Sequence, residues 1–188
     1  MLLQPPRPAL RMSQADEHSI WLLPCADQLA ALRTRVQALA PRHAGHVFEP
    51  HVTLQGDLPL AFDAARALVD RLAGDCPPLR WPVRAVEGTE HYFRSLYLRL
   101  EAGAAFERLC RTCVQASGTD QGLSPYAHLS LAYGATQGDA AVLRASLMRE
   151  LGASSPLVLD RVALARSGKA VPIDQWALVH VQPLRGAP

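Results

Sequence analysis

Two short stretches of the sequence share a pattern of residue types that could carry acid–base chemistry. Residues 51–54 read HVTL and residues 128–131 read HLSL, so the two histidines are 77 positions apart. Imidazole has an ordinary pKa of about 6.5, so near neutral pH one histidine can accept a proton while another donates one. A hydroxyl can donate a hydrogen bond to an anionic oxygen. Two copies of this set would suit phosphoryl chemistry without a metal ion.

Both stretches are predicted to be β-strands, and this determines which side chains share a face. In a strand, residues i and i+2 project from the same side. His51 and Thr53 therefore share one face, and so do His128 and Ser130, while the apolar residues between them point to the core. If the two strands lie side by side at the centre of one sheet, both imidazoles and both hydroxyls face one cleft. One of His51 and His128 would then accept a proton while the other donates one, and Thr53 and Ser130 would donate hydrogen bonds to the phosphate.

The duplication of the motif is what favours catalysis. A single His-x-[Ser/Thr] occurs by chance in many chains, whereas two copies on predicted strands, each followed by leucine, are a specific signal. Metal ligation is disfavoured because no carboxylate or third histidine lies at a supporting spacing, so no cofactor is expected. The pair Cys110 and Cys113 is interpreted as part of a helix, because it lies in the periodic segment FERLCRTCVQ.

The residues around the motifs predict alternating strands and helices. Periodicity predicts helices over 26–40, 61–73, 102–117 and 138–151, the last with Val142, Leu143, Leu147 and Leu151 on its apolar stripe. Strands are expected between them, including two over 79–93 and 95–101 that are joined by a tight turn near Arg94 and Ser95. Read as halves, the order repeats, and each half carries one histidine motif. The prediction is an α/β (α+β) fold.

The composition is that of an ordinary globular chain. Of 188 residues, 49% are hydrophobic, and the net charge of +2 is too even for a protein that binds long nucleic acid. No stretch reaches the roughly 18 apolar residues of a membrane span. Prolines interrupt the N-terminus where a signal peptide would need an apolar core, so residues 1–17 are interpreted as a flexible tail and 18–188 as a single domain. A cytoplasmic monomer is expected, with no disulfide framework from its four cysteines.

The paired signature resembles that of the 2H phosphoesterase superfamily, and within it the cyclic phosphodiesterases. Those enzymes carry Ser-x-Trp-x-x-Pro, then Phe-x-Pro-His-x-Thr, then Pro-Tyr ahead of His-x-Ser-Leu-x-Tyr. The matching residues here are Ser19, Trp21, Pro24, Phe48, Pro50, His51, Thr53, Pro125, Tyr126, His128, Ser130, Leu131 and Tyr133. The resemblance extends from about residue 18 to the end of the chain.

The resemblance implies a bilobal fold with two pseudo-symmetric, antiparallel-rich sheets, outer helices and a central cleft. It implies metal-independent opening of ADP-ribose 1″,2″-cyclic phosphate or of nucleoside 2′,3′-cyclic phosphates, the latter to 2′-phosphates. Trp21 and Tyr133 would be substrate contacts. Strict alternation places Tyr133 on the face opposite His128, so the strand must end or twist there. A core position is the other interpretation of Trp21.

Several residues and functions stay open. Tyr92 or Phe93 could wall the cleft or lie in the core, and Arg94 is a candidate anion contact. The histidines at 18, 43, 46, 91 and 180 have no partnering motif and are interpreted as structural or exposed. Besides a cyclic phosphodiesterase for a small nucleotide, the alternatives are an RNA 2′,3′-cyclic phosphodiesterase or ligase-like enzyme acting on RNA ends, and a non-catalytic nucleotide-binding module. The even charge favours the small substrate, and two complete motifs argue against mere binding.

Overall fold

Eight β-strands and four α-helices form the part of the chain that the computed structural model describes, residues 18–152 and 156–186. The segment interpreted as a tail, 1–17, lies outside these residues. The strands are β1 (His18–Pro24), β2 (Val52–Gln55), β3 (Leu79–Trp81), β4 (Val83–Glu87), β5 (Leu96–Leu100), β6 (His128–Ala132), β7 (Leu157–Arg166) and β8 (Ala177–Pro183). The helices are α1 (Ala26–Leu39), α2 (Phe62–Asp75), α3 (Gly103–Ser117) and α4 (Gln137–Leu147).

The strands form two antiparallel sheets. The first has the order β2-β1-β7-β3, with β8 also pairing with β7, and the second has the order β4-β5-β6. This confirms the predicted α/β (α+β) class. The motif strands do not lie side by side at the centre of one sheet, the arrangement considered above, because β2 and β6 are edge strands of different sheets. Strand pairing is decided by contacts far apart in sequence, which local alternation does not report.

The two sheets do not correspond to sequential halves of the chain. The second sheet is built from the continuous segment 83–132, whereas the first combines the beginning and the end of the described chain. Strand β1 pairs with β7 along its whole length, from His18 opposite Arg166 to Pro24 opposite Leu159. The C-terminal strands therefore return to the sheet that carries the first motif.

The segment 79–93, predicted as one strand, is divided between the two sheets. Residues 79–81 pair with β7 and residues 83–87 pair with β5. Pro82 separates them because proline has no N–H to continue a ladder. The tight turn expected near Arg94 is instead a longer loop with a short 3-10 turn, Tyr92–Arg94, and the Thr89 hydroxyl donates to the Arg94 carbonyl at 2.9 Å.

Helix α4 shows where periodicity alone misplaces a face. The helix begins at a capping box in which Thr136 and Asp139 bond each other's backbone N–H. Ala140 and Leu147 are its buried positions, but the predicted stripe residue Val142 is 81% exposed. At about 100° per residue, Val142 lies roughly 200° from Ala140 and faces away. Leu151, also predicted for this stripe, is not among the residues whose side chains the structure describes.

The other helices bury the residues that their spacing predicts. Helix α1 buries Leu29, Leu32, Val36 and Leu39, and α2 buries Ala65, Leu68, Val69 and Leu72. In α3, Cys110 and Cys113 are buried free thiols, as the helical interpretation expects. In the described part of the chain, no helix is long and apolar enough to cross a membrane.

One hydrophobic core continues beneath both sheets. It joins Leu54 of β2 to Leu98 of β5 and Leu129 of β6, each at most 1% exposed. These leucines lie on the strand faces that alternation assigns to the core. Since burying one leucine contributes about 1.5–3 kcal/mol, the same packing that stabilises the fold fixes the two motif strands relative to each other.

The loop 118–124, which leads from α3 toward β6, is bonded to β2. The fully buried Gln55 side chain donates to the carbonyls of Thr119 at 3.1 Å and Gln121 at 2.8 Å, and accepts from the Ser117 hydroxyl at 3.2 Å. Gly122 packs so closely that an added Cβ would lie 1.9 Å from the Gly56 carbonyl oxygen. The first motif strand thus holds the segment that introduces the second.

Candidate active site

A cleft of about 330 Å³ lies where β2 and β6 approach each other. Strands from both sheets and the loops that follow β2, precede β5, precede β6 and join β7 to β8 contribute to its walls. All six site residues predicted from the sequence line it, and the structure therefore brings them together: Trp21, His51, Thr53, His128, Ser130 and Tyr133.

His51 lies immediately before β2 in a mostly aromatic environment. Its ring stacks on Trp21 with 3.6 Å between centroids and an angle of 10° between the planes. Its Nδ1 is 2.6 Å from the Glu49 carbonyl oxygen. The Glu49 carboxylate is held by the Arg33 guanidinium of α1 at 2.6 and 2.8 Å, which fixes the backbone that carries this carbonyl. The His51 ring is therefore held by stacking on Trp21 and by the hydrogen bond at Nδ1.

His128 is the first residue of β6 and has a more polar environment. Its Nδ1 is 3.0 Å from the Tyr126 carbonyl oxygen and 3.2 Å from the Ser124 hydroxyl. The Ser124 hydroxyl itself donates to the Tyr126 carbonyl, so it offers a lone pair to the ring. The Tyr97 and Tyr126 rings approach His128 by their edges, at 5.3 and 5.5 Å between centroids.

Equivalent contacts assign the same tautomer to both histidines. A carbonyl oxygen can only accept, so each Nδ1 must carry the hydrogen that it shares with the carbonyl two residues earlier. In the neutral ring Nε2 then holds the free lone pair. Each motif therefore presents one nitrogen that can take or give a proton.

Burial keeps both imidazoles neutral in the free protein. It lowers the pKa of His51 to about 3, opposed by the hydrogen bond to the Glu49 carbonyl and reinforced by the proximity of His128. Burial also lowers the pKa of His128 to about 4, with the positive charges of Arg94 and Arg99 acting in the same direction. An anion bound between the rings would favour the imidazolium forms and raise both values.

The two hydroxyls differ in availability. No side-chain hydrogen bond within the described residues engages Thr53, which is half-buried on β2. The Ser130 hydroxyl donates to the Phe93 carbonyl at 2.9 Å. Donation from Ser130 to a phosphate oxygen would require the hydroxyl to leave that carbonyl. Thr53 is the donor that a ligand meets without rearrangement.

Tyr133 and Trp21 each combine burial with a place in the cleft wall. Strand β6 ends at Ala132, so Tyr133 is released from the alternation and can line the cleft beside His128. The Tyr133 ring stacks on Phe48 at 4.1 Å, and burial raises the pKa of its phenol, which keeps the hydroxyl protonated. Trp21 is 2% exposed, as a core position requires, and it also lines the cleft.

The structure decides the position of the residues left open. Phe93 and Arg94 line the cleft, whereas Tyr92 is 41% exposed and lies outside its lining. His91, interpreted as structural or exposed, is exposed but contributes to the cleft wall.

Sequence reasoning missed other lining residues. Ser19 shares the β1 face of Trp21, two residues away, and this spacing could have revealed it. Ser124, Ser167, Lys169 and Trp176 lie on loops and gave no periodic signal. The described residues contain no group of three or more histidine, cysteine, aspartate or glutamate side chains placed to hold a metal ion.

Comparison with known proteins finds similarity in structure but not in sequence. No family model matches the chain, and no curated protein matches it in sequence. Among solved structures, TT0787 of Thermus thermophilus superposes with a TM-score of 0.59 at 18% identity, covering 90% of this chain and 98% of that chain. E. coli LigT complexed with 3'-AMP gives 0.55 at 15% identity, covering 90% and 98%. E. coli LigT complexed with ATP gives 0.56 at 15% identity, covering 90% and 97%.

This similarity concerns the whole path of the chain. It extends over nine-tenths of the residues and almost the full length of each matched protein, so the two-sheet fold is shared rather than a single motif. At 15–18% identity, the similarity shows that the fold is shared with TT0787 and LigT.

Proposed function

We propose that this protein is a metal-independent phosphodiesterase that opens a small cyclic phosphate, a nucleoside 2′,3′-cyclic phosphate or ADP-ribose 1″,2″-cyclic phosphate. The observation that carries the proposal is the matched pair of imidazoles in one cleft, each with Nδ1 tied to a backbone carbonyl. That arrangement leaves two Nε2 atoms for proton transfer. Binding alone needs no such pair.

The chemistry follows from the protonation states of the two rings. The neutral ring takes a proton from water as the water oxygen attacks phosphorus, and the charged ring gives a proton to the departing ribose oxygen. One P–O bond forms, one breaks, and the product is a phosphate monoester, the 2′-phosphate for a nucleoside substrate. Thr53 donates to a nonbridging oxygen, where negative charge accumulates. Ser130 joins it if its hydroxyl leaves the Phe93 carbonyl, and Tyr133 and Trp21 line the substrate.

Three features support a small nucleotide as the partner. The cleft volume of about 330 Å³ is in the usual range for a small-molecule site. The net charge of +2 offers little attraction for long nucleic acid. The fold is shared with LigT, which has been solved in complex with 3'-AMP and with ATP.

Product analysis by phosphorus NMR on a panel of cyclic phosphates tests the proposal. We expect ring opening to one monoester regioisomer, with activity that survives exhaustive treatment with EDTA. Loss of activity under EDTA and its recovery with one metal would contradict the metal-independent mechanism. Nucleotide binding without turnover would identify a binding module instead.

An enzyme for RNA ends is the second candidate, because positive side chains also line the cleft. Competition between a nucleoside cyclic phosphate and an oligonucleotide with the same terminal group separates the two candidates. A large preference for the oligonucleotide that disappears at high salt would favour the RNA enzyme.

A further inference from the structure

The solvent-facing end of the cleft carries positive charge that the acid–base pair does not use. Arg94 and Lys169 line the cleft together with His91. Arg94 ends the 3-10 turn before β5, whereas Lys169 follows β7, so segments far apart in sequence meet here. Asp57 is a carboxylate of the same lining. Two cations against one carboxylate leave this end with a net charge of +1 while His91 is neutral.

The electrostatics of His91 indicate that these groups are close to one another. After burial, the charges of Arg94 and then Lys169 are the causes that lower the pKa of His91. The charge of Arg94 also lowers the pKa of His128. Arg94 therefore acts both on the catalytic histidine and on the solvent-facing end of the cleft.

Arg94 has a hydrogen-bond donor without a partner. Its Nε is buried, and no acceptor for it is found among the described residues. The Nε is closed to solvent in this position, so an anion would bond to it only after the guanidinium turns toward the cleft, and that turn would relieve the cost of a buried N–H without an acceptor. The planar guanidinium suits phosphate oxygens in particular.

Lys169 has a fixed backbone and a side chain that reaches into solvent. Its backbone N–H donates to the Asp57 carboxylate at 2.9 Å, which holds the loop. Its ammonium lies 3.7 Å from the other carboxylate oxygen, and the side chain is 79% exposed. This pair is loose enough for the ammonium to turn to a ligand.

There is room for a ligand to extend past these cations. A second cavity of about 460 Å³ shares Phe93, Gly168 and Lys169 with the cleft. A substrate whose cyclic phosphate lies between His51 and His128 can therefore continue along Phe93 toward Lys169.

We propose that Arg94 and Lys169, together with His91, form a second anion subsite for a phosphate on the 5′ oxygen of the nucleotide whose cyclic phosphate reacts. This inference rests on the proposed function and narrows the substrate class to cyclic phosphates that carry a second phosphate. The second phosphate is either a terminal monoester or the diester that joins a further nucleotide.

Turnover of three probes tests the subsite: adenosine 2′,3′-cyclic phosphate, its 5′-phosphorylated form, and the dinucleotide ApA with the same cyclic end. We expect the 5′-phosphate to raise kcat/KM at least about tenfold over the plain nucleoside. The ratio of kcat/KM for the 5′-phosphorylated probe to kcat/KM for the plain nucleoside should fall toward one in Arg94→Gln. It should also fall toward one in Lys169→Met, which changes an exposed side chain. Arg111→Gln, an exposed arginine on α3 outside the cleft lining, should preserve it. Comparison of the monoester with the dinucleotide identifies the source of the phosphate.

Binding measured by calorimetry decides the question without turnover. Adenosine 2′,5′-bisphosphate should bind wild-type protein more tightly than adenosine 2′-phosphate, and Lys169→Met should remove the difference. Three results would overturn the subsite. The first is equal affinity of the wild-type protein for the two nucleotides, and the second is a preference for the second phosphate that persists in both Arg94→Gln and Lys169→Met. The third is a loss of kcat/KM in Arg94→Gln that is the same for all three probes. Failure to hydrolyse any cyclic phosphate would overturn the proposed function, while the calorimetric comparison would still decide the subsite.

Discussion

At the scale of single residues, the two motifs are alike in their backbone contacts and unlike in their surroundings. Both imidazoles bond the carbonyl two residues earlier, but His51 stacks on an indole whereas His128 contacts a serine hydroxyl. Both rings are neutral in the free protein because burial lowers their pKa values. In the proposed mechanism one of the two rings must be charged, so substrate binding and protonation are expected to be coupled.

Replacing either histidine should abolish most of the activity. His51→Ala and His128→Ala each remove one proton-transfer group, and each should lower kcat by at least about 10²-fold. Circular dichroism and thermal melting check that the fold is intact. Turnover close to that of wild type in either variant would contradict the paired mechanism.

Alanine substitutions of Thr53 and Ser130 should both lower activity but should differ in their effect on stability. Thr53→Ala should lower kcat/KM by the equivalent of about 1–3 kcal/mol through loss of a phosphate hydrogen bond, with the free energy of unfolding unchanged. Ser130→Ala should in addition lower the free energy of unfolding, by about 1–3 kcal/mol, because the Phe93 carbonyl loses its donor. Urea unfolding and steady-state kinetics provide both numbers, with Thr53→Ser as the control that keeps the hydroxyl. Equal stability losses in the two alanine variants would be inconsistent with the observed contacts.

The pH dependence of kcat/KM should lie on the acid side of ordinary imidazole. That parameter reports ionisations of the free enzyme, where burial lowers the pKa of His51 to about 3 and that of His128 to about 4. The fraction with one charged and one neutral ring therefore falls as pH rises above these values. The kcat profile should be displaced to higher pH, since the bound phosphate favours the imidazolium. Stopped assays from about pH 4 to about pH 10 test this, and a kcat/KM that keeps rising to the alkaline limit would mean that another base acts.

At the scale of elements, alternation predicts which face each motif side chain uses but not which strand lies beside it. His51 with Thr53, and His128 with Ser130, share the faces expected from a period of two. β2 pairs with β1 and β6 pairs with β5, in each case with residues some thirty positions away. The first sheet also needs the pairing of β1 with β7, across more than a hundred positions, and local alternation reports none of these partners. For the same reason Lys169 and Trp176, which follow the second motif by some forty residues or more, could not be placed in the site.

The contact between β2 and the loop 118–124 should matter to both stability and catalysis. Gln55→Leu leaves the carbonyls of Thr119 and Gln121 without their donor, at about 1–3 kcal/mol for each buried group. The loop carries Ser124, which contacts His128, so kcat should fall as well. Urea unfolding with activity assays measures both effects. Gln121→Leu, which changes an exposed amide and keeps the backbone carbonyl, is the matched control, and equal effects in the two variants would contradict the role of Gln55.

At the scale of the whole molecule, the buried histidines link folding to pH. In the unfolded chain their pKa values return to about 6.5, so between that value and the folded values of about 4 and 3 the unfolded state binds more protons. The contribution of these two histidines to the free energy of unfolding is therefore complete above about pH 6.5 and is lost as the pH falls toward their pKa values in the folded protein.

Thermal melting at intervals from about pH 7.5 down to about pH 4 should show this loss. His51→Gln should have a shallower decline in Tm than wild type, because one buried titrating ring has been removed. The Tm of His46→Gln, a substitution outside the lining of the cleft, should decline as that of wild type does. A wild-type Tm that is constant over this range would be incompatible with buried neutral imidazoles.

The pairing of β1 with β7 also sets the order in which the molecule can form as it is synthesised. The second sheet needs only residues 83–132, so all of its strands are available before α4 is made. The first sheet lacks its central strand until residue 166 has been added, and until then β1 and β3 have no β7 to pair with. Since long-range pairings form late, the sheet that carries His51 is completed last. Trp21 and Phe48 can contact His51 before β7 exists, but Trp176, 6.2 Å from His51 between ring centroids, follows β7, so the aromatic environment of the first histidine is complete only after that strand has been synthesised.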